Sequence, residues 1–167
     1  MEYIIRRAEG VDLSAINTIY NQAVPLIAAT ADMEQVPLSR RKVWFEEHQR
    51  NGNPILVAEN NGVVVGWLSF SYYREGRKAV AQVREISYYI HEDYREKGVA
   101  SSLIEKSIKM APEVGAEVLI TFIIDGNEGS IRLMNKFGFE LWGRLPKVVN
   151  VSSEDVRDHL IFGLRCS

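Results

Sequence analysis

Cysteine occurs once in the 167 residues, as Cys166 beside the end of the chain. No disulfide can form within the chain, and such sparing use of cysteine fits a reducing compartment. No apolar run approaches the roughly 20 residues that a membrane helix needs, so no span is expected. The opening MEYIIRRAEGVD lacks the basic stretch and apolar core of a secretory signal. A cytoplasmic location is therefore the expectation. Excess charge of either sign is missing too. Lys and Arg number 20 against 22 Asp and Glu, for a net charge of −2. That balance gives no electrostatic reason to expect nucleic acid as a partner. His48, His91 and His159 have no metal-ligand spacing, so no metal is expected. There is no GKS or GKT, which excludes the usual nucleotide loop. Internal repeats and low-complexity linkers are absent as well.

What is present is ordinary globular composition, 46% hydrophobic and 25% charged. The length suits a single domain over residues 1–167, large enough for a core without metal or disulfide support. Tyr3–Arg7 reads as a first strand. Asp12 is placed to cap a helix carrying Leu13, Ile16, Tyr20 and Ala23 at helical spacing. Ser39 is placed to cap a second, with 29–38 as the loop between. Pro54–Glu59, Val63–Tyr72 and Val80–Ile90 read as an antiparallel meander, with Asn60-Asn61-Gly62 as its first turn. Gly98–Ala111 reads as a helix with an inner stripe of Ala100, Leu103, Ile104, Ser107, Ile108 and Ala111. Val118–Ile124 is a buried strand. A helix follows from Asn127 or Ser130 to about Phe137, with Gly138 as its left-handed terminator. Phe139–Leu145 and Val156–Leu164 close the sheet. The order β-α-α-β-β-β-α-β-α-β-β predicts an α/β fold. Its central sheet is mixed and largely antiparallel, with a parallel pair across the right-handed crossover and helices flanking it.

The most pointed stretch is HEDYREKGVASSLIEKSI, from His91 to Ile108. A single glycine stands between a strand and a helix. Such a turn gathers unpaired amides at the positive end of a helix, which is an anion site by construction. Arg95 and Lys97 add charge. An ordinary turn with a solvated basic patch would look the same locally. Asn127-Glu128-Gly129-Ser130 follows the next strand. If the two strand ends splay, Asn127 faces the Gly98 turn across a cleft; otherwise it is only a helix cap.

Together the two motifs resemble the GCN5-related N-acetyltransferase (GNAT) family. Arg95-Glu96-Lys97-Gly98-Val99-Ala100 is similar to its R/Q-x-x-G-x-G/A turn. Asn127, Ser130, Gly138 and Phe139 are similar to its later N-x-x-S and G-F. Glu85–Ile90 and the helix–loop–helix around Thr30 to Phe45 look closest to the branch acting on phosphinothricin and other amino-acid analogues. The resemblance covers nearly the whole chain. It implies acetyl-CoA as co-substrate, no metal, a small-molecule amine as acceptor, and a homodimer. It implies a pyrophosphate cradle from Arg95, Glu96, Lys97, Gly98, Val99, Ala100 and Ser101. Tyr88, Tyr89 and Ile90 would offer strand groups to the pantetheine arm, as in strand addition. Asn127 and Ser130 would close on it from the other side.

Acetyl transfer to an amine requires that the nitrogen lose a proton. The resemblance carries that base role onto Glu85, directly or through water; a salt bridge to Arg84, Arg74 or Arg77 is the competing reading. Strand alternation puts Glu85, Ser87 and Tyr89 on one face. The family's thiolate-protonating residue falls at Leu133-Met134, which cannot donate. Tyr88, Tyr89, water or bulk solvent would then serve. The segment 145–159 lacks the branch's Gly/Lys/aromatic-rich turn, leaving the acceptor open; it is expected to cover the acceptor site or a dimer partner. The loop 30–37, with Asp32, Met33 and Glu34, is expected to form another wall. Trp44, Trp67 and Trp142 read as core or interface. A protein or peptide N-acetyltransferase and a non-catalytic acyl-CoA-binding sensor are the alternatives.

Overall fold

The computed structural model describes residues 1–166. Seven strands and four α-helices alternate in the expected order. They are β1 (Ile4–Arg7), α1 (Leu13–Ala23), α2 (Leu38–Arg50), β2 (Ile55–Asn60), β3 (Val63–Tyr72), β4 (Val83–Ile90), α3 (Val99–Met110), β5 (Val118–Ile124), α4 (Glu128–Lys136), β6 (Glu140–Asn150) and β7 (Val156–Arg165). The strands form one sheet in the order β1-β2-β3-β4-β5-β7-β6. Only β4 and β5 are parallel.

Hydrophobic side chains cover both faces of the middle of the sheet. Ile16, Ile19 and Tyr20 of α1 and Phe45 of α2 pack with Val57 and Trp67 on one face. Leu103 and Ile104 of α3 and Met134 of α4 pack with Leu68, Phe70, Ile86 and Leu119 on the other. This is why Ile55–Ala58 is buried residue after residue, with no polar alternation.

The parallel pair positions the site. β4 and β5 pair only from Val83 to Glu85 against Val118 to Ile120. Beyond Glu85, β4 keeps its partner β3 but has none toward β5. The strands part there, as expected, and leave a wedge with free backbone on its β4 wall.

Several local expectations need correction. Asp12 does not cap α1 with its side chain. Its carboxylate instead accepts from the Glu9 amide at 2.8 Å and holds Arg6 at 2.8 Å, closing a 3-10 turn over Gly10–Asp12. Ser39 lies inside α2, whose cap position is Pro37. Residues 78–80 form a 3-10 turn, so β4 starts at Val83. The 145–159 segment is a hairpin: β6 runs on to Asn150 with a register break between Leu145 and Val149. Lys147 sits there at φ 54°, and Asp158 accepts from its amide at 2.9 Å.

Candidate active site

Three connected cavities lie along β4. The largest, about 580 Å³, runs from the wedge to the Gly98 turn. Eleven of the thirteen expected site residues line it: Tyr88, Tyr89, Ile90, Arg95, Glu96, Gly98, Val99, Ala100, Ser101, Asn127 and Ser130. Lys97 does not. Its carbonyl accepts from Tyr3 Oη at 2.9 Å, and its ammonium lies 5.4 Å from the Tyr94 ring centre. Glu85 lines a second cavity of about 200 Å³ at the crotch of the wedge, with Ser87, Thr121, Asn127 and His159.

The glycine turn presents unpaired amides at the positive end of α3. The first amide paired across the start of α3 is Ser102, which donates to the Gly98 carbonyl at 3.1 Å. The amides of Val99, Ala100 and Ser101 therefore have no helical partners, and all three residues line the cleft. Gly98 adopts φ 85°, where a side chain is strained, and a β-carbon there would project into open space. A group seated against the backbone would occupy that space. Lys136 donates to Ser101 Oγ at 3.2 Å from across the cleft. Arg132, Leu133 and Lys136 line it too. The sequence reading missed them, although a spacing of three, four and seven residues from Gly129 on one helix would have exposed them.

Asn127 caps α4 and lines the cleft together with Gly98. Its Oδ1 accepts from the Ser130 amide at 3.3 Å, which caps α4. Its Nδ2 donates to the Ala28 carbonyl at 3.2 Å, which ties the following loop down over the cleft. Of that loop, Thr30 and Ala31 line the crotch cavity. Asp32 accepts from the Tyr20 hydroxyl, whereas Glu34 is exposed to solvent.

Glu85 forms no ion pair and no side-chain hydrogen bond among the described residues. The salt bridge to Arg84 does not exist. That guanidinium is buried, donates to Asn53 Oδ1 at 3.0 Å and Val114 O at 2.9 Å, and stacks 3.9 Å from the Tyr72 ring centre. Burial alone raises the Glu85 carboxyl above the ordinary range. His159 faces the same cavity, 5.2 Å from the Phe122 ring. Burial holds its imidazole below the usual value.

Met134 is not at the cleft. It is 0% exposed, inside the core under α4, and Leu133 takes the cleft-facing position. Tyr88 lines both the cleft and the crotch, as do Tyr89 and Ser130, but its hydroxyl is fully occluded and has no hydrogen-bond partner. Burial pushes its pKa up to about 12, opposed in part by the nearby Ser130 side chain.

The third cavity, about 250 Å³, adjoins the second along Ser87 and Tyr89. Trp44 and Trp67 line it as well as packing. Trp142 lies elsewhere, 44% exposed on β6.

Residues 14–139 match the model of the acetyltransferase (GNAT) family. The chain belongs to that family. It is 37% identical over 151 residues to an L-methionine sulfoximine/L-methionine sulfone acetyltransferase of Pseudomonas aeruginosa, covering 89% of this chain and 86% of the relative. A GNAT phosphinothricin acetyltransferase of Sinorhizobium meliloti, solved in complex with acetyl-CoA, superposes with a TM-score of 0.91 at 26% identity, covering 99% of this chain and 89% of that one. A ribosomal-protein-alanine N-acetyltransferase of Brucella melitensis superposes at 0.90 with 34% identity, covering 97% and 99%.

Proposed function

We propose that this enzyme transfers the acetyl group of acetyl-CoA to the amine of a small acceptor, an amino acid or an analogue of one. The observation that carries the proposal is the junction of the cavities at the point where β4 and β5 part. The cradle-lined cleft meets a second, smaller cavity there, and an unpaired, desolvated carboxylate stands in it.

The cleft suits acetyl-CoA. Unpaired amides of Val99, Ala100 and Ser101, with Arg95 and Lys136, hold its pyrophosphate, and β4 offers amides and carbonyls to its amide-bearing arm. When bound, it supplies a thioester, whose carbonyl is open to direct attack. Glu85 takes the proton of the acceptor amine, directly or through water. Amides of β4 beyond Glu85 polarise the carbonyl under attack. Cys166 lies just past β7, on the edge of the packed core and away from the cleft. The amine attacks the thioester directly, in a ternary complex. The Tyr88 hydroxyl, which stays protonated up to about pH 12, donates to the departing thiolate.

Acceptor size follows from the two cavities beyond the cleft, about 200 and 250 Å³, roofed by the loop that Asn127 ties down. They suit a small molecule better than a peptide. Likeness to a ribosomal-protein-alanine N-acetyltransferase supports a peptide acceptor as the second reading. The exposed row Leu141, Trp142, Leu145 and Val148 on edge strand β6 supports the homodimer. A single cysteine fits residence in the reducing cytoplasm. Thiol release from acetyl-CoA, assayed against amino acids, their sulfone and sulfoximine analogues, polyamines and N-terminal peptides, tests the proposal. Turnover of peptides alone favours the second reading. Tight acetyl-CoA binding with no turnover of any amine returns the protein to a sensor role.

A further inference from the structure

The third cavity is lined by two arginines, Arg40 and Arg41, against one acid, Asp32. Arg41 of α2 is 6% exposed. Its guanidinium is enclosed by three rings, with its centre 4.4 Å from Tyr20, 4.7 Å from Trp44 and 5.8 Å from Trp67. Its Nε donates to Asn17 Oδ1 at 3.3 Å. Among the described residues its terminal nitrogens make no hydrogen bond and no ion pair. Asp32, the one acid lining the cavity, accepts from the Tyr20 hydroxyl and forms no ion pair with Arg41, which leaves the two arginines with one more positive charge than the cavity's acid offsets. Those nitrogens are not sealed off either, because the sole fully occluded unpaired side-chain atom among the described residues is the Tyr88 hydroxyl. They open on the cavity.

Buried guanidinium groups are ordinarily paired, since desolvating one without a partner is costly. Stacking on aromatic faces recovers part of that cost. It also fixes the plane of the fork, which leaves two parallel donors aimed at one place. A planar carboxylate is the group that such a fork matches. The cavity floor is continuous with the reaction site. Ser87 and Tyr89 belong to both, and Glu85 is one strand repeat, about 6.6 Å, along the same face from Ser87. A carboxylate under Arg41 leaves the rest of a small molecule directed toward Glu85. Asn17 holds the arrangement in place: its Nδ2 donates to the Val36 carbonyl at 3.0 Å while its Oδ1 accepts from Arg41.

We infer that Arg41 is the specificity residue that binds the carboxylate of the acceptor, so that the enzyme selects amino acids over amines lacking an acidic group. The inference rests on the acetyl-transfer reading above for its kinetic test, but not for its binding test. In kinetics, kcat/KM is compared for L-methionine sulfone and for its primary amide, which keeps the amine and loses the acid. Wild type favours the acid by about 10- to 100-fold, the worth of a charge-assisted bidentate contact. In Arg41→Met that ratio falls close to one. It is read within each variant, so a general loss of folded protein cancels. Arg41→Lys keeps the charge but not the fork, and gives an intermediate ratio. Propionate competes with the amine and not with acetyl-CoA in the wild type. Equal use of acid and amide by wild type, or an unchanged ratio in Arg41→Met, overturns the assignment. Should no amine be turned over, the acetyl-transfer reading fails, and Trp44 and Trp67 fluorescence still decides the matter. Saturable quenching by the acid and not the amide, lost in Arg41→Met, supports the carboxylate site; equal or absent responses overturn it.

Discussion

Replacement of Glu85 by Gln removes one proton acceptor and little else. The amide has nearly the same shape, and no ion pair or hydrogen bond of Glu85 is broken among the described residues. The catalytic cost is that of a positioned general base, about 10²- to 10⁴-fold in kcat. Stability moves the other way. Burial raises the Glu85 carboxyl in the folded state above its unfolded value. The folded chain therefore prefers this group protonated. Its favourable contribution is full below the unfolded pKa and is lost as pH rises through the folded one. At neutral pH the ionised form is the desolvated one, and the neutral amide relieves it. Glu85→Gln should melt at or above the wild-type temperature while losing most of its turnover. The wild-type kcat/KM should rise with pH along a limb set above the ordinary glutamate value of about 4.3, and that limb should vanish in the variant. Thiol release across pH with a melting curve for each protein makes the comparison. Near-wild-type turnover refutes the base assignment. A drop of several degrees in melting temperature refutes the claim that Glu85 has no structural partner.

Four further outcomes are expected. Tyr88→Phe removes an unpartnered buried hydroxyl, so it should lower kcat about 10- to 100-fold with no loss of melting temperature; unchanged kcat would assign protonation of the thiolate to water. Gly98→Ala forces a side chain into φ 85° and into the cradle. It should cost about 1 kcal/mol in stability and weaken acetyl-CoA binding by at least tenfold in calorimetry. Met134→Ala should destabilise by about 2–5 kcal/mol as a core truncation, while the pH profile of the remaining activity keeps its wild-type shape. Asn127→Ala should lose about 1 kcal/mol from the cap of α4 and, by freeing the loop at Ala28, raise the KM for the acceptor.

The element order and the single parallel pair were legible because each rests on local signals: period-two and period-3.6 patterns, glycine turns and one crossover. The cleft was legible for a similar reason, since a strand, a glycine and a helix follow one another in the chain. Caps were less so. Asp12 and Ser39 have the right chemistry for capping, but an ion pair with Arg6 claimed one, and Pro37 fixed the entry to α2 ahead of the other. Met134 was misplaced because motif alignment does not say which side of α4 faces the core; its complete burial does. Arg41 was invisible in sequence. It stands among polar residues of α2, beside Arg40 and Lys42, and only the packing of α1, α2 and β3 encloses it in aromatic rings.

The most direct test of the account is a single assay: acetyl-CoA, this protein and L-methionine sulfone at neutral pH, with free thiol followed and the product weighed by mass spectrometry. The account predicts thiol release matched one for one by an N-acetylated amino acid. Tight acetyl-CoA binding without acetylated product from this or any other amine would contradict it.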